Sequence, residues 1–201
     1  MRHAFPLLLA LATAVIPAPV LAERIACEPP FGPDASHDGL VRTFGAGNVR
    51  FEEALEGPEA EPFAASIVFP DDPARRLEVI WLEAETRSGI ANVTIGEGSA
   101  WTFDERLKVG QSLVEVEVAN GRAFDLNGFG WDYGGAVVDW KGGTLGSQPA
   151  GCRLGVFFFP APDAAPAAVD DVSGDRLFSS SDPKIRSVSP TVMQIYFGYS
   201  E

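Results

Sequence analysis

The sequence predicts an α+β protein built from antiparallel sheets and two short helices, with the option of two tandem modules (36–95 and 96–145) sharing a continuous sheet. Three observations predict it. Apolar and charged residues alternate in RRLEVIWL (75–82), as they do in a half-buried strand. Clusters of Gly, Pro, Asn and Asp recur too closely to leave room for long helices. Only two stretches carry both a helix start signal and a helix stop signal.

Taken in order, Ser36 can cap a helix from His37 to about Phe44, with Leu40, Val41 and Phe44 on one face and Gly45 and Gly47 stopping it. Asn48–Ala54 and Ala64–Phe69 read as strands joined by the acidic connection EGPEAEP. Asp71-Asp72-Pro73 is a turn, and Leu77, Val79 and Trp81 mark one side of the next strand. Ala91–Ile95 and Ala100–Phe103 are short strands. In QSLVEVEVANG (111–121) two signals compete. Val114, Val116 and Val118 alternate with glutamates, and Asn120-Gly121 suits a hairpin turn, which favours a strand. Ser112 and Glu115 form the S-x-x-E capping box with Gly121 as terminator, which favours a helix.

The run VGQSLVEVEVANGRAF (109–124), followed by GFGWDYGG (128–135), resembles the module of β-lactamase-inhibitor-protein-like domains. Phe44-Gly45 and RRLEVIW look like a weaker first copy. The resemblance implies a short helix that opens with Gly-x-Ser, ends at Gly and leads into an antiparallel sheet. On that ground 112–120 is taken as a helix. It also implies a non-enzymatic inhibitor or assembly factor, but assigns no binding residues here. The chain departs from it in lacking a lipoprotein cysteine and in placing Cys27 and Cys152 where a bridge would cross modules.

Residues 1–22 read as a secretory signal peptide: Arg2 and His3, an apolar run from Leu7 to Ile16, and a small-residue site at Val20-Leu21-Ala22. Pro17 and Pro19 shorten the run below the ~20 apolar residues of a membrane span. Residues 23–160 are expected to form a disulfide-linked domain. Residues 161–201 are expected to add a Pro/Ala-rich linker, a polar loop and a terminal strand, with Met193, Ile195 and Phe197 on one face. A periplasmic or secreted location makes Cys27 and Cys152 a disulfide, closing a loop of about 125 residues worth about 4–5 kcal/mol in the chain-entropy model. No C-x-x-C occurs to favour redox chemistry.

The net charge of −13 argues against nucleic acid and anionic lipid, and is compatible with a basic protein partner. No membrane insertion, cofactor or metal is expected. Asp170, Asp171 and Asp175 cluster around Gly174 but lack calcium-loop spacing. Glu52-Glu53 and Asp71-Asp72 are adjacent pairs that point apart, so they do not form a catalytic carboxylate pair. His37 is the one histidine beyond residue 22 and is expected to be solvated at a helix start, so no catalytic residue is assigned.

The stretch GFGWDYGGAVVDWKGG (128–143) poses the main question. With Gly134-Gly135 as a two-residue turn, Phe129, Trp131, Tyr133, Ala136, Val138 and Trp140 share one face of a hairpin. That face is expected to be core, leaving Asp132 and Asp139 solvated. The competing reading makes Trp131, Tyr133 and Trp140 an exposed aromatic surface for sugar or peptide. The functional expectation is an exported interaction module binding another protein. The alternative is a carbohydrate- or peptidoglycan-binding protein.

Overall fold

A computed structural model describes residues 23–56 and 61–200; the signal-peptide expectation for residues 1–22 lies outside the described residues. The chain starts with β1 (Arg24–Ile25), turns through prolines and enters α1 (His37–Phe44). The helix begins where Ser36 Oγ accepts the Gly39 N–H at 3.2 Å and ends where Gly45 takes φ 89°. An antiparallel meander follows: β2 (Val49–Glu56), β3 (Pro62–Val68), β4 (Leu77–Glu83) and β5 (Ser88–Ile95). Next come β6 (Thr102–Phe103), which pairs parallel with β1, and then α2 (Leu113–Asn120).

The competing signals at α2 resolve as a helix because both ends are locked. Glu115 N–H donates to Ser112 Oγ, Ser112 N–H donates to Glu115 Oε2, and left-handed Gly121 donates its N–H to Val118 O. Leu113, Val116 and Asn120 turn inward at helical spacing, while Val114 and Val118 face solvent. Asn120, a hairpin-turn candidate by sequence, is buried instead. Its amide donates to Arg122 O and Trp140 O and accepts from Leu145 N–H.

The remaining elements are β7 (Asp125–Asn127), β8 (Val137–Asp139), β9 (Arg153–Phe159), α3 (Pro166–Asp171), β10 (Leu177–Ser179), α4 (Pro183–Ser187) and β11 (Thr191–Gly198). They complete an α+β fold with a six-stranded antiparallel sheet, β2-β3-β4-β5-β11-β9, and a three-stranded one, β10-β7-β8. The last strand therefore sits between β5 and the edge strand β9 of the larger sheet.

Period-two alternation puts Val79, Val93, Ile195, Phe197 and Val156 on the inner face of the large sheet, all buried. Phe103 and Phe31 pack on Phe197 at 5.1 and 6.2 Å, and Phe124 stacks on Phe158 at 5.8 Å. Each such side chain contributes about 1.5–3 kcal/mol through burial. The outer face carries the cross-strand row Glu78, Thr94, Tyr196 and Gly155. Cys27 and Cys152 are joined with their Cα atoms 6.2 Å apart, tying the lead-in to the start of β9.

Two expectations for the last third are corrected. The Pro/Ala-rich linker and polar loop contain α3, β10 and α4, because Val172, Ile185 and Val188 are fully buried anchors and Asp182 caps α4. Met193 does not share a face with Ile195 and Phe197. A bulge between Val192 and Gln194 shifts it out and brings Val192 into the core. Among the described residues no helix is long and apolar enough to cross a membrane.

Candidate functional site

The segment 128–136 is a loop joining β7 to β8, not a two-residue hairpin. A type I′ turn needs positive φ at both central residues, and only Gly135 of the Gly134-Gly135 pair adopts it. Gly135 is fixed by close approach as well. Its N–H donates to Asn127 O, its carbonyl accepts the Phe158 N–H, and a Cβ there would fall 2.0 Å from Phe158 O. The edge of β9 thus holds the loop's return.

The outgoing limb is held on the other side. Gly128 N–H donates to Arg176 O, Phe129 N–H to Val172 O, and Gly174 N–H to Phe129 O. Phe129 is buried and anchors the limb in the core. Between the anchors the chain folds over itself: Gly134 N–H donates to Trp131 O, Asn127 Nδ2 to Tyr133 O at 3.1 Å, and Trp131 Nε1 to Gly128 O at 2.9 Å. Each of these bonds satisfies a polar group from within the loop or its immediate neighbours.

What the loop presents is Trp131, Asp132 and Tyr133. The two rings meet edge to face, 5.5 Å apart at 71°. Tyr133 is 62% exposed, Asp132 is exposed and Trp131 is half-buried. On the adjoining small sheet Val138 and Leu177 are 53% and 60% exposed. The expected shared aromatic face is therefore corrected. Phe129 and Ala136 go inward, Tyr133 and Val138 go outward, and Trp140 leaves the group. Trp140 packs on Phe124 at 5.2 Å and donates its indole N–H to Leu154 O, so it belongs to the edge of the core. The structure brings together Trp131 and Tyr133 of the three aromatic site candidates.

Four carboxylates lie on the loop or next to its outgoing limb in the chain's backbone pairing. Asp170 and Asp171 close α3 and Asp175 follows Gly174, next to the loop's outgoing limb. Arg176, the nearest cation in sequence, spends its guanidinium on the Asp171 and Ser173 carbonyls. Asp132, Asp170, Asp171 and Asp175 join no ion pair among the described residues. Among those residues, no three His, Cys, Asp or Glu side chains converge as metal ligands would. Asp139 is exposed as expected, but Lys141 bridges it to Asp125, and the Lys141 backbone N–H holds its carboxyl below the usual range.

His37 corrects the expectation of a solvated cap residue. Its Nδ1 lies 2.8 Å from Ser66 Oγ, which also accepts the Trp81 indole N–H at 2.9 Å. Ser66 Oγ thus accepts from Trp81 and shares a second hydrogen bond with Nδ1, whose direction follows the imidazole tautomer. Burial, reinforced by Arg87, pushes the imidazole pKa down and favours the neutral ring. Ser66 is fully buried on the inner face of the large sheet, so its hydroxyl offers no surface to a substrate. The signal sequence reasoning missed was the Ser66–Trp81 pairing, visible only once strand register is known.

A larger depression of about 500 Å³ lies beside the disulfide, walled by Pro29, Pro30 and Pro33 with Arg42 at its side. Its polar lining is Glu28, Asp34, Ser36, Arg42 and Thr43. No family model, curated protein or solved structure matches the chain.

Proposed function

We propose that the protein is an exported interaction module that binds another envelope or secreted protein through the Trp131-Asp132-Tyr133 loop. The observation that carries this reading is a rigidly held loop with exposed aromatics at its tip. Trp and Tyr dominate the energetics of protein interfaces, and a loop already fixed in shape loses little entropy on docking. Asp132 at the tip and Asp170, Asp171 and Asp175 beside the outgoing limb, which join no ion pair among the described residues, favour a basic partner and would speed its approach. Export is supported by the disulfide and by the signal-like sequence of residues 1–22.

Sugar binding at the same loop has less support. Stacking a sugar uses an open, flat ring face, whereas Trp131 and Tyr133 stand edge to face at 71°. The test is crosslinking from a photoreactive residue at position 133 in the exported protein, with the adduct identified by mass spectrometry. A single protein adduct that disappears in Trp131→Ala, in a protein that still unfolds cooperatively, supports the proposal. Adducts that persist in Trp131→Ala, or a product retaining residues 1–22, count against it.

A further inference from the structure

The outer face of the six-stranded sheet carries a second depression, of about 340 Å³, where β5, β11 and β9 meet. That lies at the small end of the ~300–1,000 Å³ range of ligand sites. Strand register creates it. Tyr196 stands opposite Gly155 and Gly198 opposite Arg153, so all four lie on one face. A Cβ at position 155 would meet the Tyr196 ring at 1.9 Å, so the ring lies directly against the β9 backbone. Phe157, 5.7 Å away, supports it from the side.

The polar groups here have an unusual sign for this protein. Among the described residues no carboxylate lines the depression, although the chain has a net charge of −13. The one charged residue among them is Arg153, which joins no ion pair with another described residue. Arg153 is close enough to Tyr196 to oppose the upward shift that burial imposes on the phenol. Asn92 commits its amide nitrogen to Thr94 Oγ1 at 3.0 Å, which leaves Oδ1 as an acceptor.

We propose that this depression binds a carboxylated sugar residue, of the uronic-acid type. The Arg153 guanidinium pairs with the carboxylate, in the two-pronged geometry that distinguishes arginine from a point charge. The Tyr196 ring receives the apolar C–H face of the sugar, and Asn92 Oδ1 accepts from a hydroxyl. A neutral sugar forgoes the charged pair, and inorganic phosphate forgoes the ring. The site shares no residue with the 128–136 loop, so it stands or falls independently of the protein-binding reading.

The test is a 1H–15N NMR titration of the purified exported protein with sodium D-glucuronate, D-glucose and inorganic phosphate at constant ionic strength. Glucuronate should shift the Gly155, Tyr196 and Gly198 amides saturably, with glucose and phosphate each about ten-fold weaker or more. Arg153→Gln should weaken glucuronate about ten- to hundred-fold, the usual value of a hydrogen-bonded charge. Arg153→Lys should fall between, and Trp131→Ala should leave the titration unchanged. Absence of saturable shifts, phosphate binding as tightly as glucuronate, or full affinity in a folded Arg153→Gln protein would each overturn the proposal. The comparison of the three probes on the unaltered protein decides the matter even if a variant fails to fold.

Discussion

Trp81 and Trp131 both find a hydrogen-bond partner for the indole N–H, yet they serve different ends. Trp81, in the six-stranded sheet, is 6% exposed and donates to Ser66, fifteen residues away and on a different strand. Trp131, in the loop of the three-stranded sheet, donates to Gly128, three residues away, and stays half-exposed. A partner remote in sequence ties the first ring to the assembly of the whole sheet. A partner within the loop lets the second keep its orientation with one side in water. The inner face of the large sheet buries its aromatics, while the small sheet's loop fixes two rings in place and leaves them available.

The sharpest way to test the first half of this comparison is to remove a ring from the large sheet. Phe158 is fully buried against Phe124, and its backbone N–H holds Gly135. Phe158→Ala should cost about 3–5 kcal/mol in urea melts, from lost apolar transfer plus the cavity left behind. A cost near zero would mean that the inner face is not the core. The next effect in size concerns the polar link. Ser66→Ala strips the partner from both Trp81 Nε1 and His37 Nδ1, and leaving buried groups unsatisfied should cost about 1–3 kcal/mol.

The same link gives stability a pH dependence. The His37 pKa is lowered in the folded state, first by burial and then by Arg87, with Asp38 opposing. The unfolded chain therefore binds the proton more readily, so stability rises with pH across this group's titration. His37's contribution should be complete above the unfolded value of about 6.5 and be lost as pH falls from there through the folded value. The carboxylates with lowered pKa values, Asp104, Glu115 and Asp139, titrate in a more acid range. Urea midpoints from pH 8 to 5 should drop in the parent and flatten in His37→Asn. An identical slope in both would remove His37 from the account.

How much of this was legible in the sequence depended on how local the cause was. Ser36 with Gly45, and Ser112 with Glu115 and Gly121, delimit both main helices because a cap is decided within a few residues. The strands β2 to β5 were readable from alternation, and the disulfide from an even pair of cysteines. The loop was not, because Gly135 owes its conformation to Phe158 O, a neighbour 23 residues away that no local pattern announces. His37 was misjudged for the same reason: its partner Ser66 sits 29 residues on, brought beside it where α1 packs against β3. Residues 161–190 looked unstructured because their anchors, Val172, Ile185 and Val188, are few and widely spaced.

The smallest effect on stability should come from the tip, and there the comparison is at greatest risk. Tyr133 is exposed, and its backbone carbonyl, not its side chain, accepts from Asn127. Tyr133→Ala should therefore change stability by no more than about 0.5 kcal/mol, as surface substitutions generally do. Trp131→Ala loses one indole bond to Gly128 and half a ring of packing, so it should cost more than Tyr133→Ala but well below Phe158→Ala. Affinity for a crosslinked partner should follow the reverse order. An anchor aromatic at the centre of an interface carries about 2 kcal/mol or more of binding, close to thirty-fold in affinity. Both tip variants should thus lose binding at nearly constant stability, read by melts and by calorimetric titration of the same samples. If Trp131→Ala instead destabilises the fold as much as Phe158→Ala does, the indole is part of the core. The loop would then be scaffold like the sheet it leans on, and the contrast with Trp81 would disappear.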